Sequence, residues 1–243
     1  MSFERTELLL GREGVEKLSR SHVTICGLGG VGAYAVEALA RANIGRLTLV
    51  DCDVINPSNI NRQLFALEST TGTKKTEVAR ARVKDIHPGC DLSVMHTLVD
   101  EHSNPQILAQ KPDVIIDAID SLSAKVHLIA NAFDMGICVV SSMGAAGRLD
   151  ANAVTTGDLS ETHTCPLARF VRSRLHRRGI YTGIRCVFST EKPVMKKVDS
   201  DISTDTSGKS ISSPVIGSIS YLPSIFGLKA AYEAITYLLY HKS

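Results

Sequence analysis

The chain has 243 residues, 44% of them hydrophobic, and its 27 basic and 25 acidic side chains leave a net charge of +2. That supplies enough apolar matter for a full core and a charge balance too mild to demand either nucleic acid or a membrane surface. No apolar run reaches the ~20 residues that span a bilayer, and in residues 1–12 only Leu8, Leu9 and Leu10 stand together as an apolar run, so neither a membrane anchor nor a secretory leader is expected.

In chain order, short runs rich in Val and Ile at 23–26, 47–50, 114–116 and 137–140 read as buried strands. Helical patterns at 31–42, 76–86, 105–110 and 123–135 alternate with them. Continuous apolar strands alternating with helices imply a parallel sheet covered on both faces. The expected class is therefore α/β, a Rossmann-like, mostly parallel sheet with helices on both faces. Beyond Gly144 the rhythm changes. Segments 153–156 and 184–189 read as strands and 166–178 as a basic helix. Segment 199–213, rich in Ser, Asp and Thr, reads as a mobile loop. The segment from Gly217 leads through Pro223 into a last helix over 224–240, with apolar residues at 225, 228, 232, 235 and 239 on its expected buried face. The second half reads as an extension of the same domain, giving one domain over 1–243. The six cysteines form no C-x-x-C pair, which fits a reducing, cytoplasmic setting. The eight histidines show no metal-ligand spacing.

Gly27-Leu28-Gly29-Gly30-Val31-Gly32 follows a strand and opens a helix. Glycines let backbone approach a nucleotide closely, and a helix start offers N–H groups to phosphate. Asp51 ends the next strand, 19 positions after Gly32, where a carboxylate can accept from ribose hydroxyls. A dinucleotide fold would then turn quickly into its second helix. Here a loop of about twenty residues intervenes, carrying Asp53, Asn59, Arg62 and Gln63, and loops that long usually have a task. Arg62 has the planar fork suited to a phosphate chain. Taken alone, Lys75 also fits a solvated helix face, and Asp120 an N-cap.

These motifs together resemble the ThiF/MoeB/HesA superfamily: G-x-G-G-x-G, then Leu47 to Asp53, Ser58 to Gln63, Gly72 to Glu77 and Ile116 to Ser121. The resemblance implies an enzyme that adenylates a carboxylate with ATP and Mg2+. Asp51 would hold ribose, and Arg62 and Lys75 would contact phosphates. Asp120 would place magnesium or the reacting carboxylate. Arg5 would complete the neighbouring site of a homodimer. The chain lacks the paired C-x-x-C zinc ligands of many carrier-activating relatives.

A second resemblance covers the C-terminal half. Gly157-Asp158-Leu159, Pro166-Leu167-Ala168, Cys186 to Glu191 and Gly217 to Ser224 are similar to the tRNA threonylcarbamoyladenosine dehydratases. Cys165 departs from that pattern, standing where an acidic residue is expected. The likeness implies adenylation of the threonyl carboxylate of N6-threonylcarbamoyladenosine in tRNA, then ring closure with release of AMP. It also implies that a sulfur-transfer protein can be a partner, as for some relatives. Arg169, Arg172, Arg174, Arg177 and Arg178 crowd one helix and are candidates for tRNA phosphates, against a salt-bridged solvated face. With 5% aromatic residues a broad stacking platform is not expected. Cys186 reads as core, and Cys165, in a polar stretch, as the better candidate for an exposed thiol. The competing functions are activation of a small ubiquitin-like carrier protein, and a nucleotide-sensing module without catalysis.

Overall fold

The computed structural model describes residues 3–194 and 216–241. The expected loop at 199–213 lies outside them. Seven strands form one sheet in the order β3-β2-β1-β4-β5-β7-β6. They are β1 (His22–Cys26), β2 (Arg46–Val50), β3 (Asp91–Met95), β4 (Val114–Asp117), β5 (Cys138–Ser142), β6 (Val154–Asp158) and β7 (Arg185–Ser189). All pairings are parallel except β6 with β7. The later strands thus extend the sheet begun by the first five.

Both faces are covered, because successive strand side chains point to opposite sides. Val114 and Ile116 of β4 join one apolar layer, and Ile115 joins the other. The first layer packs under α1 (Glu4–Ser19), α2 (Gly32–Arg41), α3 (Lys75–Ile86) and α7 (Tyr221–Tyr240). The second packs under α4 (Asn104–Leu108), α5 (Leu122–Asp134) and α6 (Pro166–His176). The long 51–74 loop is stitched down by buried Ile55, Phe65 and Ala66, with short 3-10 turns at Pro57–Asn59 and Glu68–Thr70.

Three sequence expectations change. α1 and β3 were not anticipated. α7 starts at Tyr221, with Pro223 inside its first turn, where the missing N–H breaks no helical bond. Its buried face is also rotated. Leu222, Phe226, Ala230, Ala234 and Leu238 are buried, while Leu228 and Tyr232 are 48% and 59% exposed. The reason is close packing on α2. A Cβ on Gly227 would stand 2.2 Å from the Val31 carbonyl oxygen, so small residues, not large ones, define this contact. Among the described residues no helix is long and apolar enough to cross a membrane.

Candidate active site

The strand order reverses between β1 and β4, and open α/β sheets bind ligands in the crevice beyond the carboxyl ends at such a point. A cleft of about 1260 Å³ opens there. Gly27, Gly29, Gly30, Asp51, Asp53, Asn59, Arg62, Gln63, Lys75 and Asp120 all line it. Residues scattered over ninety positions of sequence therefore meet at one edge.

The glycine turn is fixed from two sides. Gly27 sits at φ +91°, and a Cβ there would stand 2.7 Å from the Ala118 carbonyl oxygen. The Leu28 N–H donates to Asp51 Oδ2 (2.6 Å) and the Asp53 N–H to Asp51 Oδ1 (2.7 Å). Asp51, buried at the end of β2, thus ties the turn to the following loop and keeps lone pairs for a ligand hydroxyl. No side chain caps α2, although the Ala33 N–H donates to the Gly29 carbonyl (3.0 Å), and the helix start lies behind the cleft wall formed by Gly30 and Val31, where the positive end of a helix favours an anion.

The loop folds back over the turn. The Gln63 amide nitrogen lies 3.7 Å from a Cβ placed on Gly29, and Arg62 Cγ 3.5 Å from one on Gly30. The Arg62 guanidinium donates to the Ser58 carbonyl (2.9 Å) and Asn61 Oδ1 (2.8 Å), with no carboxylate among the described residues to neutralise it. Asn59 Oδ1 accepts from the Asn56 N–H (3.0 Å), so this side chain shapes the loop as well as lining the cleft.

Lys75 opens α3. Contrary to a solvated helix face, it is only 5% exposed. Its Nζ donates to Asp53 Oδ2 at 2.7 Å. That hydrogen bond is the main reason the Asp53 carboxyl lies below its usual range. Beside them Cys52 is the one exposed cysteine of the six. Partial burial, then the Asp53 and Asp51 charges, push its thiol up, which makes it a poor nucleophile. Across the cleft, Asp120 follows β4. Ser121, not Asp120, is the N-cap of α5, and the exposed Asp120 carboxylate makes no hydrogen bond or ion pair among the described residues.

Under this wall lies a network that sequence reasoning missed. Asp117 and Lys125 are fully buried, with Lys125 Nζ 2.6 Å from Asp117 Oδ2. Lys125 also donates to the Ser142 carbonyl (2.9 Å) and Ser141 Oγ (3.3 Å). Ser141 Oγ–H donates to Asp117 Oδ2 (2.6 Å), and the Ile119 N–H to Asp117 Oδ1 (3.1 Å). The pair therefore fixes the turn that carries Asp120. The available signal was a lysine beside Val126, Leu128 and Ile129, in the helix just after an acidic strand end.

Other candidates are not gathered here. Arg5 is exposed near the start of α1, where Phe3 packs on His87 (ring centroids 5.3 Å) just beyond the far end of α3. Twelve residues of α3 separate that end from Lys75, about 18 Å, so Arg5 does not reach the cleft of its own chain. Arg172 turns inward and donates to the Thr162 carbonyl (2.8 Å), Thr162 Oγ1 (2.5 Å) and the Leu159 carbonyl (3.3 Å). It braces the turn before α6 and does not share the exposed face of Arg169, Arg174, Arg177 and Arg178. Cys165 is buried, not exposed, because it is the N-cap position of α6 and packs toward Gly144. Cys186 is core, and burial raises its thiol.

A doubly wound sheet with a glycine turn, and a crevice at its switch point that holds Arg62 and Lys75 among carboxylates, defines a nucleotide-binding α/β protein of the Rossmann-like kind. The ThiF family profile matches residues 3–243, and the chain belongs to that family. It is 38% identical over 228 residues to the tRNA threonylcarbamoyladenosine dehydratase of Bacillus subtilis, covering 93% of this chain and 90% of that one. The solved structure of E. coli tRNA N6-threonylcarbamoyladenosine dehydratase in complex with ATP superposes with a TM-score of 0.86 at 32% identity, covering 97% and 93%. The molybdopterin-synthase adenylyltransferase of E. coli is 35% identical over 138 residues, covering 57% and 54%.

Proposed function

We propose that this chain is an ATP-dependent dehydratase, one adenylating domain from end to end, acting on N6-threonylcarbamoyladenosine in tRNA. The observation that carries the reading is the breadth of likeness to the dehydratases, which spans 93% of the chain, against 57% for the adenylyltransferase. The threonyl carboxylate attacks the α-phosphorus of ATP and pyrophosphate leaves. The neighbouring carbamoyl group then attacks the activated carbonyl, the ring closes and AMP departs. The substrate brings its own nucleophile, so the absence of an activated cysteine in the cleft is no obstacle.

Each step asks for charge control. The uncapped start of α2 and Arg62 would receive phosphates, and Asp51 the ribose. Lys75, held by Asp53, would offset negative charge growing at the α-phosphorus. The free Asp120 carboxylate fits Mg2+, which keeps most of its waters and takes one or two carboxylates beside substrate phosphates. When bound, that ion would supply charge for the departing pyrophosphate. Arg5, remote from its own cleft, would serve a partner's site in a homodimer. Four exposed arginines on and beside α6 would meet tRNA phosphates, and Arg174, which donates to Ser123 Oγ on the cleft rim (3.0 Å), joins that surface to the site. The six free cysteines fit a reducing cytoplasm. A sulfur-transfer partner, suggested by resemblance, is not needed by this chemistry, since no sulfur enters or leaves.

The test is nucleoside mass spectrometry on tRNA carrying the modification, incubated with protein and ATP. One cyclised nucleoside per AMP is expected. AMP formation that requires a ubiquitin-like carrier protein and leaves the nucleoside unchanged would overturn the proposal in favour of carrier activation.

A further inference from the structure

From Pro166 to Gly183 the chain has five arginines and no acidic residue. A salt-bridged solvated helix would pair these cations. Among the described residues none of Arg169, Arg174, Arg177 and Arg178 has a carboxylate within ion-pair distance. The positive face is thus left without neutralising partners, and two aromatic rings interrupt it. Phe170 is 49% exposed and Tyr181 63%.

Helical spacing places Phe170, Arg174 and Arg177 in one row, at i, i+4 and i+7. This row spans about 10 Å and passes the cleft rim where Arg174 meets Ser123. The Arg169 guanidinium lies 5.0 Å over one side of the Phe170 ring. Tyr181 flanks the adjoining row, with its ring 5.1 Å from that of His176. Each ring is therefore buttressed by a nitrogenous plane and still half open.

We propose that Phe170 and Tyr181 are stacking platforms for unpaired nucleotides flanking the reacting adenosine, with Arg174 and Arg177 holding the phosphates between them. This rests on the tRNA reading above and adds to it how the substrate is chosen. Flat rings set among unneutralised arginines suit nucleobases whose faces are open, which occur in loops and not in duplexes. An acidic carrier protein would use the arginines but has no base to offer the rings. The surface would thus select a loop and direct the modified nucleotide into the cleft.

The experiment measures binding of the full chain to an anticodon stem-loop and to a fully paired two-stranded duplex with the same number of nucleotides, over a range of salt. Phe170→Ala and Tyr181→Ala should each weaken loop binding by about 5- to 100-fold, the usual effect of losing one base–aromatic stack. They should leave duplex binding and the salt slope unchanged. Phe170→Trp and Tyr181→Phe, which keep a ring, should keep loop binding. Arg174→Ala with Arg177→Ala should instead flatten the salt slope on both RNAs. Both rings are half exposed, so their removal opens no cavity and the melting temperature should hold. If the alanine variants bind the loop as tightly as the parent, or lose both RNAs equally, the stacking role is wrong while the dehydratase reading stands. A parent protein that binds neither RNA and forms no cyclised nucleoside would remove both.

Discussion

The buried Asp117–Lys125 pair offers the most quantitative check on how the site wall is held. Both side chains are fully buried, 2.6 Å apart, and their remaining bonds go to Ser141, Ser142 and the Ile119 N–H. Two charges withdrawn from water are tolerated because each compensates the other. Lys125→Met keeps much of the stem's volume but leaves the carboxylate alone in the core. Removing one member of such a pair typically costs about 3–5 kcal/mol. In a chain of this size each kcal/mol moves the melting temperature by about 2–4 °C, so a fall of roughly 6–20 °C is expected. Asp117→Asn combined with Lys125→Met removes both charges and leaves an amide oxygen for the Ile119 N–H. The double variant should regain most of the lost stability, since neutral replacement of a buried pair is often free of net cost. Calorimetric melting of parent, single and double variants decides the matter. An unchanged melting temperature in Lys125→Met would refute the argument. A double variant no better than the single would show that shape, not uncompensated charge, sets the loss.

Lys75→Met and Asp120→Asn should each lower turnover about 10²–10³-fold, the scale of one lost transition-state charge contact. AMP release and cyclised nucleoside should fall together, and a variant that still cyclises at full rate would cancel the assigned role. Lys75 is buried, so methionine, not alanine, keeps this test free of a cavity. His22, 6% exposed, is held near neutrality by burial and then by Arg46, which depress its pKa from 6.5 to about 4. Above pH 6.5 it is neutral folded or unfolded; between 6.5 and 4 only the unfolded chain takes up the proton, so stability falls as pH falls through that window. From pH 7 to 5 the loss should be about 2 kcal/mol, read as a urea midpoint shift that His22→Gln abolishes. Gly227→Ala gains helix propensity of about 1 kcal/mol, yet its Cβ would stand 2.2 Å from the Val31 carbonyl oxygen and 2.9 Å from Tyr34 Cβ. Because one neighbour is backbone, the clash should win. The melting temperature should drop and ATP binding weaken as α2 shifts, and a variant at least as stable as the parent would show the helices can part.

The elements that could be read from sequence share a property, and so do those that could not. The glycine turn, Asp51, Asn59, Arg62, Gln63, Lys75 and Asp120 each sit next to a strand end, in a helix start or in the loop between them. Local patterns mark such places, and the parallel sheet brings them to one edge whatever happens deeper in the core. The failures needed partners distant in sequence. β3 is a half-exposed edge strand whose Asp-Leu-Ser-Val-Met carries little apolar signal. In α7 the large residues at 228 and 232 suggested one face, but the buried face carries Gly227, Ala230, Ala231 and Ala234, with Gly227 against the start of α2. Lys125 and Arg172 carry charges that polarity assigns to water, yet one pairs with a strand-end carboxylate and the other with backbone carbonyls. Cys165 sits in a polar stretch and is buried because the chain turns there into α6. Apart from the missed β3, these errors concern which side of an element faces inward, and the strand ends move little: β4, β5 and β6 end at Asp117, Ser142 and Asp158, one or two residues beyond the expected positions. A cleft assembled from strand ends can therefore be anticipated from a sequence whose core faces are misread, whereas which side chains a helix leaves exposed cannot. Phe170 and Tyr181 illustrate the difference: composition argued against a broad stacking platform, and only the fold shows two rings left open among arginines.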